Sequence, residues 1–407
     1  MRILLLAPHP FFQERGTPID VSLVLRVLSE RGDQVDVVTY HEGQAFNLEN
    51  ITIYRTPSIP FVKNLTPGFS WKKIVCDLFL LCKASQMMLS NRYEIVHAVE
   101  EAAFIALLFK WIFRVPYVYD MDSSIAQQMI EKHPSLSPLS AFFNYLEGVA
   151  VRNSSAVLPV CDALGEVAEA HGAKNTVVLH DISLLEKKAE TNAINLKEEL
   201  ELSGLIIMYS GNLESYQGID LLLESFAIAM DSPQPRPEIN LVIIGGSKDD
   251  IRKYEERSLL LGIDKFVHFL GPQPVSDMWG YFSQADILVS PRIKGKNTPM
   301  KIYSYLHSGN AVLATNLETH TQVMNDQIAI LADPEPGAFA GAIINLATNT
   351  ALREQKGKAA IQLIECRHVY SVLKSKLTGL YEKLQVTFLQ GICVVVHDPL
   401  FELADLM

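Results

Sequence analysis

Short apolar runs of strand length alternate along the chain with longer segments whose apolar residues recur at helical spacing. The alternation runs from Arg2 to about residue 180 and begins again at residue 205. Between the two series lies a charged segment with few aromatic residues, which we interpret as an inter-domain linker with one short helix. Strands that alternate with helices favour parallel βαβ units. The pattern therefore predicts an α/β protein with two doubly wound, Rossmann-like domains that face a central cleft.

The same pattern predicts the domain boundaries. Residues 1–182 form the N-terminal domain, and residues 183–366 form the second domain. Residues 367–386 form a C-terminal helix that packs back toward the N-terminal domain. Residues 387–407 form a tail of unknown role, in which residues 393–396 resemble a strand. Residues 176–179 are interpreted as the last strand of the first domain.

Composition and charge narrow the classes of function. The chain has 407 residues, a length that suits two domains. Its formal net charge of −11 argues against a nucleic-acid partner, because a phosphate backbone demands a basic face. The 5 cysteines are scattered without metal-ligand spacing, so we expect reduced, buried thiols and no metal site. The first apolar run is too short for a signal peptide, which favours a cytoplasmic protein.

The most informative segment runs from residue 290 to residue 315. A strand-like run ends at Ser290, and after a loop a helix is predicted to begin near Met300 and to end at Gly309. A helix that begins beyond the carboxyl end of a strand offers free N–H groups and the positive end of its dipole. The segment therefore predicts an anion site, for which we expect a diphosphate. The cations that add full charge there are Arg292, Lys294, Lys296 and Lys301.

Glycine-containing turns follow two other strands of the second domain. Gly211 and Gly218 bracket one turn, and Gly246 lies in the next. Glycine permits close approach of the backbone to a ligand, so these turns are candidates for lining a pocket. An ordinary βα turn remains the alternative for each one alone. Near the N-terminus, the loop that contains Gly16 is interpreted as a mobile lip over the cleft, or else as a variable surface loop.

Polar side chains follow two predicted strands of the first domain. Asp122 is a candidate hydrogen-bond acceptor for a polar ligand, although Ser123 or Ser124 in the same turn could simply cap the next helix. His97 and Glu100 lie at the end of the preceding strand and offer similar polar groups. A lone histidine at a strand end is more often a hydrogen-bonded structural residue than a catalyst.

One helix-like segment, residues 69–83, is apolar with basic flanks. Its apolar side could rest in an anionic membrane surface while Lys72, Lys73 and Lys83 reach the head groups. Packing of the apolar side into the core is the alternative, and we favour it. A peripheral membrane contact is therefore the secondary interpretation of this segment.

Motifs of the second domain resemble, in order and spacing, those of family 4 glycosyltransferases. The motifs are YSGNL (209–213), QGIDLLL (217–223), VIIGG (242–246), VHFLG (267–271), ADILVSP (285–291) and PMKIYSYLHSG (299–309). The resemblance extends from Arg2 to about Leu384 and implies the GT-B fold. It also implies a retaining transferase of hexosyltransferase type that uses a nucleotide-sugar donor and no metal or other cofactor. The donor would be bound mainly by the second domain. The first domain would be the acceptor side, with His97 and Glu100 as its candidate residues.

The loops and the resemblance together imply a donor site at Gly16, Gly211, Asn212, Gln217, Gly246, Thr298, Pro299, Met300 and Ser304. Three of these positions depart from the family pattern. Ser304 stands where a glutamate binds the ribose, and a hydroxyl cannot supply the two acceptors of a carboxylate to a vicinal diol. Asn212 and Gln217 are neutral where the family has an arginine and a lysine on the diphosphate. In the first domain, Asp122 stands where a histidine is common.

Two explanations fit these departures. In an active enzyme, the positive charge has moved to Arg292, Lys294 and Lys301, which leaves a rearranged donor site. The catalytic residues are then Asp122, Lys301 and Arg292. Alternatively, the chain is a catalytically impaired module that binds a sugar or a partner. The density of cations favours the enzyme, because an uncompensated loss would cost about 10²–10³ in rate per contact. A nucleotide-sugar epimerase is a further alternative.

For the enzyme we expect a glycan or lipid-linked acceptor, in polysaccharide or glycolipid synthesis. The expected location is the cytoplasm, at the inner face of the membrane.

Overall fold

The computed structural model describes residues 1–13, 16–58, 62, 65, 70–132, 134–185, 195–233, 237–295 and 298–396. Contacts divide the chain into two compact units. Unit 1 comprises Met1–His180 and the C-terminal segment from Leu373 onward, whereas unit 2 comprises Asp181–Val372. The predicted site residue Lys296 lies outside the described residues.

The strands are β1 (Arg2–Ala7), β2 (Gln34–Thr39), β3 (Ile51–Arg55), β4 (Ile95–Val99), β5 (Tyr117–Met121) and β6 (Ala156–Pro159) in unit 1, and β7 (Leu205–Ser210), β8 (Ile239–Ile244), β9 (Val267–Gly271), β10 (Ile287–Ser290), β11 (Ala311–Thr315) and β12 (Ile330–Ala332) in unit 2. The helices of unit 1 are α1 (Gly16–Glu30), α2 (Trp71–Ser90), α3 (Ala102–Phe113), α4 (Ile125–Lys132), α5 (Ser140–Asn153) and α6 (Asp162–Ala170). Those of unit 2 are α7 (Leu196–Glu199), α8 (Ile219–Met230), α9 (Lys248–Leu260), α10 (Met278–Phe282), α11 (Lys301–Ser308), α12 (Glu318–Thr321), α13 (Pro336–Thr348) and α14 (Thr350–Arg367). The last helix is α15 (Tyr370–Val396).

Each unit is built on one six-stranded sheet whose paired strands all run parallel. The strand order is β3-β2-β1-β4-β5-β6 in unit 1 and β12-β11-β10-β7-β8-β9 in unit 2. The central strands, such as β4, β5 and β8, are buried along their whole length, because helices cover both faces of a parallel sheet. The predicted α/β architecture with two doubly wound sheets is confirmed.

A buried polar chain fastens α15 to the sheet of unit 1. His97 on β4 lies 3.0 Å from Asp120 Oδ2 through Nε2 and 2.7 Å from the Tyr381 hydroxyl through Nδ1. The carboxylate favours the proton on Nε2, so Nδ1 accepts from the Tyr381 hydroxyl. Both His97 and Tyr381 are fully buried. Arg31 adds a hydrogen bond of 3.2 Å to the carbonyl of Thr378 on the same helix.

Three sequence interpretations are wrong. Residues 176–179 form no strand, and the pairing there is a single parallel bridge between Val157 and Thr176. Residues 393–396 lie in helix α15, because the apolar run continues a helix that was already underway. The described cysteines are all free thiols, but they are not all buried. Cys76 and Cys161 are buried, whereas Cys82 and Cys366 are exposed.

Replacement of Tyr381 by Phe tests the chain that fastens α15. Tyr381→Phe leaves the ring in place and removes the donor to His97, so we expect the free energy of unfolding of unit 1 to fall by about 1–2 kcal/mol. Urea unfolding followed by the fluorescence of Trp71 and Trp111, which lie in unit 1, measures this change. Tyr145→Phe, at an exposed tyrosine, is the matched control. Equal midpoints for the two variants would contradict the prediction.

Candidate functional site

The strand order of unit 2 reverses between β7 and β10. From β7 the chain continues to β8 and β9 on one side of the sheet, and then returns to place β10, β11 and β12 on the other side. At such a reversal the loops that leave the two central strands diverge and open a crevice at the carboxyl ends. The two loops here are residues 211–218 and residues 291–300. The reversal therefore brings the predicted anion segment beside the predicted glycine turn.

The two loops are joined through their backbones. Ile293 donates its N–H to the carbonyl of Tyr216 at 2.9 Å. Gly218 has a φ of +74°, and a Cβ there would clash with the carbonyl oxygen of Pro291. Gly218 is therefore required by the contact between the loops, in addition to its left-handed conformation. The sequence interpretation, in which this glycine let the backbone approach a ligand, had missed this reason.

Lys301, the first residue of α11, points its ammonium back toward the loop that follows β7. Its Nζ lies 3.2 Å from Gln217 Oε1 and 3.9 Å from the centroid of the Tyr209 ring. A Cβ on Gly211 would come within 3.1 Å of the same Nζ, and the φ of +145° at Gly211 disfavours other residues as well. The glycine thus leaves room for the ammonium at the carboxyl end of β7.

Arg292 is the second cation of the crevice. Its guanidinium carbon lies 5.2 Å from the centroid of the Tyr216 ring, and its Nε donates to the carbonyl of Lys294 at 2.7 Å. Thr315 on β11 donates its hydroxyl to the carbonyl of Arg292 at 2.6 Å. The side chain of Lys294 is exposed. The structure therefore holds Arg292 in place on both its backbone and its side chain.

No carboxylate balances these two cations. Among the residues that the structure describes, neither Lys301 nor Arg292 forms an ion pair. Burial lowers the pKa of the Lys301 ammonium well below its usual range, and the Arg292 guanidinium lowers it further. Burial also lowers the pKa of Arg292. An anion in the crevice would relieve the repulsion, so the arrangement favours anion binding.

The start of α11 adds neutral donors to the two cations. Met300 is the N-cap residue, and no side chain caps it. Thr298 is only 7% exposed, and within the described residues its hydroxyl has no hydrogen-bond partner. Ser304 lies one turn after Lys301 and is half-buried, and its hydroxyl also makes no hydrogen bond within that part of the chain. Buried polar groups are normally paired, so an unpaired hydroxyl beside an uncapped helix start indicates a place for a ligand.

Sequence reasoning missed the tyrosines that support these groups. Tyr209 is fully buried and donates its hydroxyl to the carbonyl of Asn212 at 2.6 Å. The hydroxyl of Tyr305 accepts the N–H of Ser210 at 2.6 Å, which secures the end of β7. Gly246, at the end of the neighbouring strand β8, has its Cα close to Leu213 of the first loop. A tyrosine inside an apolar strand or helix is by itself too common a pattern to have identified them.

A neutral histidine lies beneath the cations. His320 on α12 is fully buried, with Nε2 2.9 Å from the hydroxyl of Ser290 and Nδ1 3.0 Å from that of Thr315. Burial, together with the positive charges of Lys301 and Arg292, lowers the pKa of His320 to about 4. The histidine therefore adds hydrogen bonds to the crevice without adding a third positive charge.

Unit 1 gathers carboxylates at the carboxyl end of β4. Lys73 on α2 pairs with Glu101, and Ser123 donates to Glu100 Oε1 at 3.2 Å. Burial and the charge of Glu101 raise the pKa of Glu100 to about 7, and they raise the pKa of Asp77 on α2 to about 7 as well. Near neutral pH these carboxyls are therefore partly protonated and can donate hydrogen bonds.

The other predicted residues of unit 1 lie at the ends of neighbouring elements. Asp122 is half-buried in the turn after β5, and the cap of α4 is Ser124, whose hydroxyl accepts the N–H of Gln127 at 3.3 Å. The alternative for this turn, a serine that caps the next helix, is therefore observed at Ser124. His97 is fully buried with both ring nitrogens engaged, so the geometry favours its structural role over acceptor binding. Gly16 begins α1 with a φ of +30°.

Two family models match the chain in tandem. Residues 21–180 match the model described as Glycosyltransferase Family 4, and residues 191–363 match the model described as Glycosyl transferases group 1. The chain belongs to the family 4 glycosyltransferases. The family predicted from the motifs is confirmed.

Individual similarities to this family 4 protein are more distant. The phosphatidyl-myo-inositol mannosyltransferase of Mycobacterium leprae (strain TN) is 24% identical over 182 residues, which is 44% of this chain and 46% of that protein. The chain thus aligns with less than half of that relative's length. Sucrose-phosphate synthase from Thermosynechococcus elongatus has a TM-score of 0.75 and 17% identity, covering 95% of this chain and 99% of that one. Anabaena HepE in complex with UDP has a TM-score of 0.72 and 16% identity, covering 94% and 100%. These two structures show the same fold.

Helix α2 of the family 4 protein buries one of its lysines and exposes several large apolar side chains. Lys73 is buried in its ion pair with Glu101, so the predicted contact of Lys73 with head groups is wrong. One set of apolar residues, which includes Cys76 and Leu80, packs into the core. A second set is exposed: Trp71, Ile74, Leu78, Phe79 and Leu89.

Two further helices extend this exposed set. The connections from β3 to β4, β4 to β5 and β5 to β6 all step in the same direction, so right-handed crossovers place α2, α3 and α5 on one face. Contacts between α2 and α3 and between α3 and α5 agree with this placement. No Asp or Glu of these three helices is exposed. We define the apolar surface of unit 1 as the exposed residues of α2 together with Leu108, Trp111, Ile112, Phe142 and Tyr145.

No helix within the described residues combines the length and the hydropathy needed to cross a bilayer. Within the same residues, no three or more His, Cys, Asp or Glu side chains come together as metal ligands.

The buried His320 predicts a dependence of stability on pH. Its pKa is about 4 in the folded protein and about 6.5 in the unfolded chain, so its contribution is complete above pH 6.5 and is lost as the pH falls through about 4. The expected loss for unit 2 is up to about 3 kcal/mol. Trp279 reports on unit 2 when Trp71 and Trp111 are replaced by Phe. Carboxylates titrate over the same range, so the wild type is compared with His320→Gln, which should show the shallower slope. Parallel slopes would refute the assignment.

The raised pKa of Glu100 predicts the opposite trend in unit 1. The folded protein holds the proton more tightly than the unfolded chain, so the stability is present at low pH and declines between about pH 4.5 and 7. Glu100→Gln mimics the protonated form. We expect it to stabilise unit 1 by roughly 1–2 kcal/mol at pH 8 and to have no stabilising effect at pH 4. Urea unfolding at the two pH values measures this difference. Glu169→Gln, at an exposed glutamate, should have no effect at either pH.

Proposed function

We propose that this protein is a retaining glycosyltransferase that moves a sugar from a nucleotide-sugar donor to a glycan or lipid-linked acceptor. The observation that carries the proposal is the pair of unbalanced cations, Lys301 and Arg292, at the strand reversal of unit 2. This arrangement suits the diphosphate of a nucleotide-sugar. Membership of family 4 supports the reaction class.

In this proposal the diphosphate binds at the start of α11. The N–H groups of Met300 and Lys301 and the positive end of the helix dipole contact the phosphates. Lys301 and Arg292 stabilise the negative charge that develops on the leaving nucleotide, which is the main catalytic need of this chemistry. Thr298 offers its unpaired hydroxyl to the same ligand. The structure of Anabaena HepE, which has the same fold, contains UDP.

The rest of the donor contacts the loops beside this site. Asn212, Gln217 and Gly246 line the pocket, with Pro299 at the turn into α11. Ser304 takes the place of the ribose-binding carboxylate with a single hydroxyl, so we expect a looser hold on the ribose. In unit 1, Gly16, Asp122 and Glu100 serve the sugar and the acceptor. His97 is left out of the acceptor site because it is buried and fully engaged.

The reaction needs no metal in this proposal, because protein cations and helix N–H groups supply the positive charge. The apolar surface of unit 1 favours an acceptor at a membrane. Its helices carry Lys72, Lys83 and Lys110 with no exposed carboxylate, so it complements an anionic bilayer although the chain as a whole is acidic. The similarity to the M. leprae phosphatidyl-myo-inositol mannosyltransferase is consistent with a lipid-linked acceptor. We therefore place the enzyme at the cytoplasmic face of the membrane, in polysaccharide or glycolipid synthesis.

Donor binding is tested by isothermal titration with UDP-, GDP- and ADP-sugars. We expect micromolar affinity for one nucleotide, and we expect Lys301→Ala to weaken it by roughly 10–100-fold because a charge-assisted contact is lost. Silence across the panel would overturn the proposal and favour a module that binds another partner. Isomerisation of the preferred donor without any acceptor would instead indicate an epimerase.

Membrane binding is tested by flotation with vesicles that contain phosphatidylglycerol. We expect the wild type to float and Trp111→Ser/Ile112→Ser to bind about tenfold less, because two exposed apolar side chains are lost. Leu259→Ser/Leu260→Ser, at exposed leucines of α9 in unit 2, is the matched control. Absence of flotation, combined with a dimer that the double variant of unit 1 dissociates, would assign the surface to self-association instead.

A further inference from the structure

The loop after β7 reaches the anion site with no positive charge of its own. Asn212, whose amide donates to the Tyr216 hydroxyl at 3.3 Å, and Gln217 are both neutral. Gln217 is only 6% exposed, and its amide oxygen accepts from Lys301 Nζ at 3.2 Å. The positive charges that contact this loop therefore come from other segments, Lys301 of α11 at Gln217 and Arg292 at the ring of Tyr216.

The position of Lys301 is unfavourable in the absence of a ligand. The residue begins α11, where the helix dipole repels a cation. Its ammonium is desolvated and lies near Arg292. Among the described residues, Tyr209 and His320 also face it, and neither supplies a negative charge near neutral pH.

Another lysine of this chain shows the ordinary solution for a desolvated ammonium. Lys73 in unit 1 is buried, but Glu101 pairs with it. Glu100 and Glu101 raise the pKa of Lys73 despite its burial, whereas burial and Arg292 lower that of Lys301. The contrast indicates that Lys301 is left unbalanced for a ligand and that Gln217 fits this purpose. A neutral amide can orient the ammonium without cancelling its charge, as a carboxylate would.

We infer that Lys301 supplies from α11 the positive charge that the 211–218 loop lacks, and that Gln217 is the residue that positions this ammonium for the donor diphosphate. The inference rests on the proposed function and names how this chain binds the diphosphate. If the inference is correct, diphosphate binding requires the positive charge at this place but does not require that the charge be attached to α11. An exchange of the two side chains should therefore preserve binding.

The test is isothermal titration of the full chain with inorganic pyrophosphate, a probe that carries neither base nor sugar. Lys301→Gln removes the charge, and we expect it to weaken binding about 10–100-fold. Gln217→Glu keeps the shape of the side chain and cancels the charge, so we expect a loss of about tenfold. The exchange variant Gln217→Lys/Lys301→Gln restores the charge from the loop side and should return to within about threefold of the wild type. Lys358→Gln, at an exposed lysine of α14, is the control for net charge and should stay within about twofold.

The outcomes separate this inference from the proposed function. A wild type that binds neither pyrophosphate nor any nucleotide of the panel would refute both. If the wild type binds but Lys301→Gln behaves like Lys358→Gln, the inference is wrong while the function stands. If Lys301→Gln weakens binding and the exchange variant does not recover, the attachment to α11 is essential, and relocation of the charge is refuted. Thermal unfolding of each variant confirms that the comparison is between folded proteins.

Discussion

The strands of unit 2 all run in one direction, and that constraint determines where this protein can bind a ligand. Parallel strands need crossover connections, and crossovers are right-handed, so the sheet grows first on one side of β7 and then on the other. Only at the reversal do two neighbouring loops diverge instead of packing over the same helix. The candidate ligand-binding groups of unit 2 lie at the ends of β7 and β10. They are the two cations, the uncapped start of α11 and the unpaired hydroxyl of Thr298.

The electrostatics of this crevice oppose the stability of the unliganded protein. Two cations share a desolvated place without a carboxylate, and the nearby His320 stays neutral because its pKa is lowered. A sequence selected for stability alone would place an acidic residue beside Lys301, as this chain does for Lys73 in unit 1. Local rules that a protein breaks without compensation are typical of functional sites, where stability is sacrificed for preorganised charge. The aromatic rings of Tyr209 and Tyr216 moderate the cost, since each presents its electron-rich face to a cation.

Much of the fold could be predicted from the sequence, because buried parallel strands are continuous apolar runs separated by helices with regular spacing. The anion segment was equally accessible, since a loop, a helix start and several cations follow one another in the chain. Errors arose where tertiary contacts override local pattern. Residues 176–179 are apolar enough for a strand but pair with the edge of the sheet through a single bridge. Lys73 points inward because it forms an ion pair with Glu101. The hydrogen bond from Lys301 to Gln217 joins residues that are 84 positions apart, so no local sequence pattern could have predicted it.

The contact of Gly218 with Pro291 has a consequence for how the donor site can change. It joins the loops that follow β7 and β10 at the level of the backbone, and the bond from Ile293 to Tyr216 joins them a second time. A substitution that shifts one loop must therefore shift the other, so effects of mutations in the two loops should not add. Epistasis of this kind links the evolution of the two segments. A lineage that acquires a new donor preference must change both loops together. A graft of either loop alone into a relative would lack the backbone contacts that the other loop supplies.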